Sequence, residues 1–314
     1  MPDHLFDLIV VSDCVLDIYY VVDKLPIMAG DLVVSRQVAF SPGGACTTAL
    51  LARKLGLEVA VIDEVGDDPF SEILLKALKD AGIHTGFMKR VHGFTTVSND
   101  IISSDGHAFM GYLGVGAGLD LRDLDENALR SSRAAFINGT YAALSDAAAD
   151  ALMELARMAR RSSLPVFLDP GPIINERTRG LVEEADVVLP NEEEVKSLFH
   201  ASLEEAIHEI RDAGKIFAIK LGKGGAVVVD GSGSTHCAPS NPRSILTTIG
   251  AGDAFDAGYV AGILGGLDLI ASCELANAAA SLRLEHLTPL EVPDLSYLLH
   301  PSLPRPSREG GEER

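Results

Sequence analysis

Basic residues are scarce. Lys and Arg number 26 in 314 residues against 45 Asp and Glu, a formal charge of −19. So acidic a chain repels both a phosphate backbone and an anionic lipid surface, which excludes general nucleic-acid binding and a polybasic membrane anchor. Long apolar runs are missing too. No stretch reaches the roughly 18 uninterrupted apolar residues of a membrane-crossing helix, and Met1-Pro2-Asp3-His4 lacks the basic region of a secretory signal. Cysteine is sparse and scattered: Cys14, Cys46, Cys237 and Cys273 show no C-x-x-C spacing. That pattern matches neither a zinc cluster nor a disulfide framework, and the expectation is free thiols in a reducing cytoplasm. Neither an internal repeat nor a dividing linker is visible. What remains is a chain with 47% hydrophobic and 23% charged residues, able to bury a core and to handle a small ligand. Residues 1–300 are expected to form one domain and residues 301–314 a flexible tail.

Short β-branched runs alternate with segments of helical periodicity, which predicts an α/β fold around a mostly parallel sheet. The runs are Leu8–Val11, Val59–Ile62, Ala134–Ile137, Val166–Leu168, Val187–Leu189, Phe217–Ile219 and Ala226–Val229. They are apolar throughout, as strands covered on both faces are. Helices are predicted over Thr47–Leu55, Phe70–Ala81, Ser145–Arg160, Glu192–Leu198, Leu203–Ala213, Ala254–Leu264 and Ala271–Leu287. Two stretches, 19–40 and 95–112, break the alternation. Their polar and apolar residues alternate, so they read either as a small β flap over the ligand-binding edge of the sheet or as two surface hairpins.

Four segments carry chemistry. In Thr247-Thr248-Ile249-Gly250-Ala251-Gly252-Asp253-Ala254-Phe255, small residues open a helix whose free amides and positive dipole end can hold a phosphate. Asp253 in the first turn is either a dipole-matched helix starter or a general base. In Ser41-Pro42-Gly43-Gly44-Ala45-Cys46-Thr47-Thr48, paired glycines at a helix start permit close backbone approach to a ligand, or simply make a turn. Asn191 and Glu194 share one helix face and read as an N-cap with its capping-box acid, or as partners of a hydrated magnesium ion. Lys220-Leu221-Gly222-Lys223-Gly224-Gly225 is a glycine-rich turn that either lies against a nucleotide or closes a hairpin.

In this order and spacing the segments resemble the ribokinase-like (PfkB) carbohydrate kinase family over nearly the whole chain. Pro42-Gly43-Gly44 with Ala49, Gly56 and Gly66 follows one family signature, and Gly250–Phe255 with Ala257-Gly258 follows the other. The resemblance implies a three-layer sandwich with a mostly parallel central sheet and a small β lid from residues 19–40 and 95–112. It also implies ATP-dependent phosphorylation of a sugar or sugar-like hydroxyl, with a nucleoside kinase or a non-catalytic sugar-binding protein as the alternatives, and a homodimer through the lid. Carried over residue by residue, Asp253 would deprotonate the acceptor hydroxyl, and Gly250, Ala251 and Gly252 would form an anion hole. Asp17, Gly43, Gly44 and Thr47 would hold the substrate. Lys220, Gly222, Gly225 and Asn277 would line the ATP pocket, and Asn191 and Glu194 would organise Mg2+. Asp169, before Pro170, resembles the family Asp that ends a core strand near the phosphates, and is equally a turn former.

There are departures. Thr47 stands where the family has Asn, and Thr247 where it has Asp. The family's Gly-Ala after the last core helix is absent around His286–Pro289. The last two places serve monovalent-cation binding in members that use potassium.

Overall fold

In the computed structural model, which describes residues 4–120 and 126–299, the seven apolar runs all fall in one nine-stranded sheet. The first half of the chain runs β1 (Phe6–Val11), β2 (Cys14–Val21), β3 (Gln37–Gly44), α1 (Ala45–Lys54), β4 (Val59–Val65), α2 (Pro69–Asp80), β5 (His84–Arg90), β6 (Val97–Ser103), β7 (Gly106–Tyr112), α3 (Glu126–Arg130), β8 (Ser132–Asn138), α4 (Thr140–Leu144) and α5 (Asp146–Arg161). The second half adds β9 (Val166–Asp169), α6 (Glu176–Glu184), β10 (Val187–Val188), α7 (Glu192–Phe199), α8 (Leu203–Ala213), β11 (Ile216–Lys220), β12 (Ala226–Asp230), β13 (Gly233–Cys237), α9 (Ala251–Leu264) and α10 (Leu269–Leu284).

The large sheet has the order β13-β12-β11-β10-β9-β8-β1-β4-β5. It is parallel from β11 to β5, and β12 and β13 are antiparallel additions. Successive side chains of β1 serve opposite layers: Leu8 and Val10 pack with α1, α2, α9 and α10, while Ile9 and Val11 pack with α4 to α8. This is why the strand reads as an unbroken apolar run. Each such side chain contributes about 1.5–3 kcal/mol by leaving water, so a polar residue is disfavoured at every position. Most long helices start where the sequence places a cap. Asp68 accepts from Phe70 N and Ser71 N at α2, Ser202 forms a capping box at α8, and Asp268 accepts from Ile270 N and Ala271 N at α10.

Both irregular stretches contribute to a second sheet of order β3-β2-β6-β7. Its β2/β3 and β6/β7 pairs are antiparallel and its β2/β6 pair is parallel. The expected tail, 301–314, lies outside the described residues.

The reading of the cysteines as unpaired thiols is corrected. Cys14 is bonded to Cys46 and Cys237 to Cys273. Separations of 32 and 36 residues carry no local signal, but β2/β3 pairing sets Cys14 opposite Gly44, two residues before Cys46. The second bond ties β13 to α10. The inference from thiol spacing to a reducing compartment therefore loses its premise. Two helix limits also shift: α9 begins at Ala251 rather than Ala254, and α10 ends at Leu284 rather than Leu287.

Candidate functional site

The two sheets meet where the chain leaves β1. Ser12 and Asp13 take left-handed conformations, with φ of 72° and 60°, and the chain enters β2 at once. A cavity of about 660 Å3 lies at this junction, between the small sheet, the carboxyl ends of β8, β9 and β11, and the start of α9.

The start of α9, like that of α1, lacks the side-chain cap that α2, α5, α8 and α10 have. Gly250, its N-cap, adopts φ 76°, and no side chain bonds to the first-turn amides. An uncapped helix start at a cavity wall is an anion-binding arrangement. Asp253 projects into the same cavity and accepts a hydrogen bond from Thr48 Oγ1 at 3.4 Å. Burial, reinforced by the charge of Asp169 and opposed by Lys220 and Arg283, pushes its carboxyl up to about 6. Such a group is ionised at neutral pH and still basic enough to take a proton.

Across the cavity, Asp17 on β2 lies directly over the backbone of Gly43. A Cβ on Gly43 would run into the Asp17 carboxylate, so the close approach requires glycine. Tyr19 donates to Asp17 Oδ2 at 3.4 Å. Burial, then repulsion from Asp100, Asp253 and Asp13, holds the Asp17 carboxyl well above its ordinary range. Gly44 and Thr47 line the cavity beside it, and the Thr47 hydroxyl donates to Pro42 O at 3.2 Å.

Lys220 is engaged by carboxylates rather than left open to solvent. Its Nζ lies 2.8 Å from Asp169 Oδ2 and 2.9 Å from Asp256 Oδ1. Burial alone would lower its pKa, but Asp169, Asp256 and Glu194 hold it well above the usual lysine value. Asp169 ends β9, and its other oxygen accepts from Gly171 N at 2.7 Å, as the turn-former reading requires. Gly222, Gly225 and Asn277 line an adjoining cavity of about 240 Å3 that also reaches Lys220 and Gly252. Asn277 Nδ2 donates to Ala238 O at 3.0 Å.

Asn191 and Glu194 form the complete capping box: Asn191 Oδ1 accepts from Glu194 N at 2.9 Å, and Glu194 Oε2 from Asn191 N at 2.8 Å. Both also stand on the wall of the larger cavity. Burial and the nearby Asp169 push Glu194 up to about 7.

Several site residues escape sequence reasoning. Asp13, Asp100, His107, Phe109, Asn138 and Thr140 also line the large cavity, and Asp256 lies fully buried beneath it. Asp63, which accepts from Cys14 N at 2.6 Å, is pushed by burial up to about 7. None of these acids stands out in sequence from the chain's other Asp and Glu residues. The larger cavity wall is therefore strongly acidic. Among the described residues its only Lys or Arg is Lys220, which is already paired.

The chain matches the family model described as "pfkB family carbohydrate kinase" over residues 6–291. It is 29% identical over 269 residues to an ATP-dependent ribose-1-phosphate kinase of Halopiger xanaduensis, covering 85% of this chain and 88% of that one. It is 28% identical to the ribokinase of Bacillus subtilis, covering 87% and 91%. Its fold is similar to that of the Arabidopsis thaliana ribokinase complexed with ribose and ATP, with a TM-score of 0.81, 22% identity, and 94% and 98% of the two chains covered.

Proposed function

Because the chain belongs to the pfkB family of carbohydrate kinases, we propose that it moves the γ-phosphoryl group of ATP to a hydroxyl of a neutral sugar held between Asp17 and Asp253. The observation that carries this reading is the pairing, in one cavity, of an uncapped helix start with a buried carboxylate whose pKa lies near 6. Asp253 takes the proton of the attacking hydroxyl as the oxygen–phosphorus bond forms and the bond to the ADP leaving group breaks. The amides of Gly250, Ala251 and Gly252 hold the transferring phosphoryl oxygens. Asp17 accepts two hydroxyl hydrogen bonds, with bare backbone at Gly43 and Gly44 beneath the ring and Thr47 beside it. Gly222, Gly225 and Asn277 border the nucleotide groove, and Lys220 anchors the carboxylates between groove and acceptor.

The residues also suit magnesium held through water. Both Glu194 oxygens accept from Asn191, at 2.5 and 2.8 Å, and no group of three His, Cys, Asp or Glu is placed for direct ligation among the described residues. Asn191 and Glu194 would hold the ion's water shell. The ion, when bound, would neutralise phosphate charge beside this acidic wall.

A neutral acceptor follows from the wall's charge: a phosphosugar or sugar acid would face Asp13, Asp17 and Asp100 without a free cation to meet it. A nucleoside acceptor is the second reading. His107 and Phe109 stand edge to face on β7, with ring centroids 4.9 Å apart at the cavity, a surface on which a base can stack. The proposal includes closure of the small sheet as a lid, a cytoplasmic location where ATP is made, and a homodimer. Val38, Phe40, Met110 and Tyr112 are exposed on that sheet and support such pairing. An ADP-release assay over neutral pentoses, hexoses, nucleosides, sugar acids and phosphosugars tests the reading. Turnover confined to the neutral compounds is expected. Turnover of phosphosugars alone overturns the acceptor class, and binding without turnover anywhere returns the chain to the sugar-binding alternative.

A further inference from the structure

Arg283 is the largest fully buried side chain among the described residues, at 0% exposure. None of its nitrogens lies within ion-pair distance of a described carboxylate. Nη1 donates to His286 O at 2.6 Å and Nη2 to Leu287 O at 3.2 Å, both in the loop after α10. Nε has no partner. The guanidinium lies against the first residue of the anion-binding turn: a Cβ on Gly250 would stand 3.1 Å from Nε and 3.7 Å from Cζ.

A buried cation without a direct ion pair is expensive, and neutral donors could clamp two carbonyls equally well. Position at a helix C-terminus offsets part of that cost, but does not explain why the charge stands behind Gly250. We infer that Arg283 is a positioning residue that supplies a fixed positive charge behind the Gly250–Gly252 turn, so that the turn holds an anion inside an otherwise acidic cavity. The geometry suits the task. The two loop carbonyls fix the plane of the guanidinium, and the missing side chain of Gly250 lets it approach the turn. The surplus of Asp13, Asp17, Asp100, Asp169 and Asp253 around the cavity makes a compensating charge necessary, because the partial positive end of α9 is small beside it.

This rests on the kinase reading for its catalytic consequence but not for its electrostatics, and the test separates the two. Arg283→Gln keeps donors and removes charge; Arg283→Lys keeps charge and loses the fork. Inorganic sulfate titrated calorimetrically into the nucleotide-free proteins is expected to bind wild type at least tenfold more tightly than Arg283→Gln, with Arg283→Lys in between. With substrate, Arg283→Gln should lose at least 30-fold in kcat while KM for the acceptor stays within threefold, a split that a mere loop clamp would not produce. Arg283→Ala should regain tenfold or more with added guanidinium and nothing with urea. Equal sulfate affinity in wild type and Arg283→Gln, no sulfate binding by wild type, or equal rescue by urea overturns the proposal. Should Arg283→Gln fail to fold, Arg283→Lys and the rescue of Arg283→Ala decide it. A wild-type protein that phosphorylates nothing refutes the kinase reading, while the sulfate comparison still decides Arg283.

Discussion

Replacing Asp253 by Asn is the sharpest perturbation of the proposed chemistry, because it changes the protonation chemistry and little else. The amide has the shape of the acid, and its oxygen can still accept from Thr48 Oγ1, now at 3.4 Å from Asp253 Oδ1. It cannot take the proton of an attacking hydroxyl. A positioned base contributes roughly 100- to 10,000-fold, or about 2.7–5.5 kcal/mol of barrier, and kcat of Asp253→Asn is expected to fall within that range. The KM for ATP should stay within about threefold, since Gly222, Gly225 and Asn277 line a separate groove. Stability should not fall, because the substitution removes one of several mutually repelling buried carboxylates. Wild type supplies the companion measurement. The base acts ionised and its pKa is raised to about 6, so kcat/KM is lost as pH falls through 6, not through 4. By pH 5 only about a tenth of the carboxyl is ionised and the rate drops about tenfold. A coupled assay from pH 4.5 to 8.5, with circular dichroism to show that the variant is folded, checks both statements. Asp253→Asn turnover within tenfold of wild type, or an acid limb near pH 4 in wild type, would refute the reasoning.

Gly43→Ala should raise the acceptor KM at least tenfold and leave the ATP KM unchanged, because the new methyl displaces the Asp17 carboxylate; equal steady-state KM values would detach Asp17 from the substrate. Glu194→Gln should raise the magnesium concentration for half-maximal rate more than the acceptor KM, and an unchanged magnesium titration would leave Glu194 as a helix cap alone. Exchanging potassium for a bulky organic cation at constant ionic strength should alter the rate less than about threefold, or roughly 0.7 kcal/mol. Thr247 carries no charge, and Arg283 already occupies the carbonyls of His286 and Leu287; a tenfold loss restored by millimolar potassium would contradict this. Amides of β2, β3, β6 and β7 should exchange more slowly when acceptor and a non-hydrolysable nucleotide are both present, and protection confined to the large sheet would count against a lid.

The strands of the large sheet were legible because burial on both faces leaves no polar option at any position. β5 was not: His84–Arg90 is a half-covered edge strand whose mixed residues match neither period. The five-residue α4 gave too few turns for a periodic signal. At the site, glycines were informative, since Gly43 and Gly250 stand where a Cβ would strike Asp17 or crowd the Arg283 guanidinium. Buried charges were not. Asp13, Asp100 and Asp256 look in sequence like the many solvated acids of this chain, and only strand register and the coil of α9 carry them inward. Arg283 reads as an ordinary cation in the last turn of a helix, and its burial is a product of the loop that folds back over it. The cysteine pairs were hidden for the same reason: both are made by strand pairing and helix packing, not by local spacing.

On the neutral-acceptor reading, the acidic wall acts on the product as well as on the acceptor. A sugar enters neutral and, once phosphorylated, carries about two negative charges among Asp13, Asp17 and Asp100. Like unit charges 8 Å apart at an effective dielectric of about 20 repel by about 2 kcal/mol. On that reading the reaction converts a guest that suits the pocket into one that it repels. Egress would then be favoured by the same carboxylates proposed to orient the hydroxyls, and accumulated sugar phosphate would compete poorly for the vacated site.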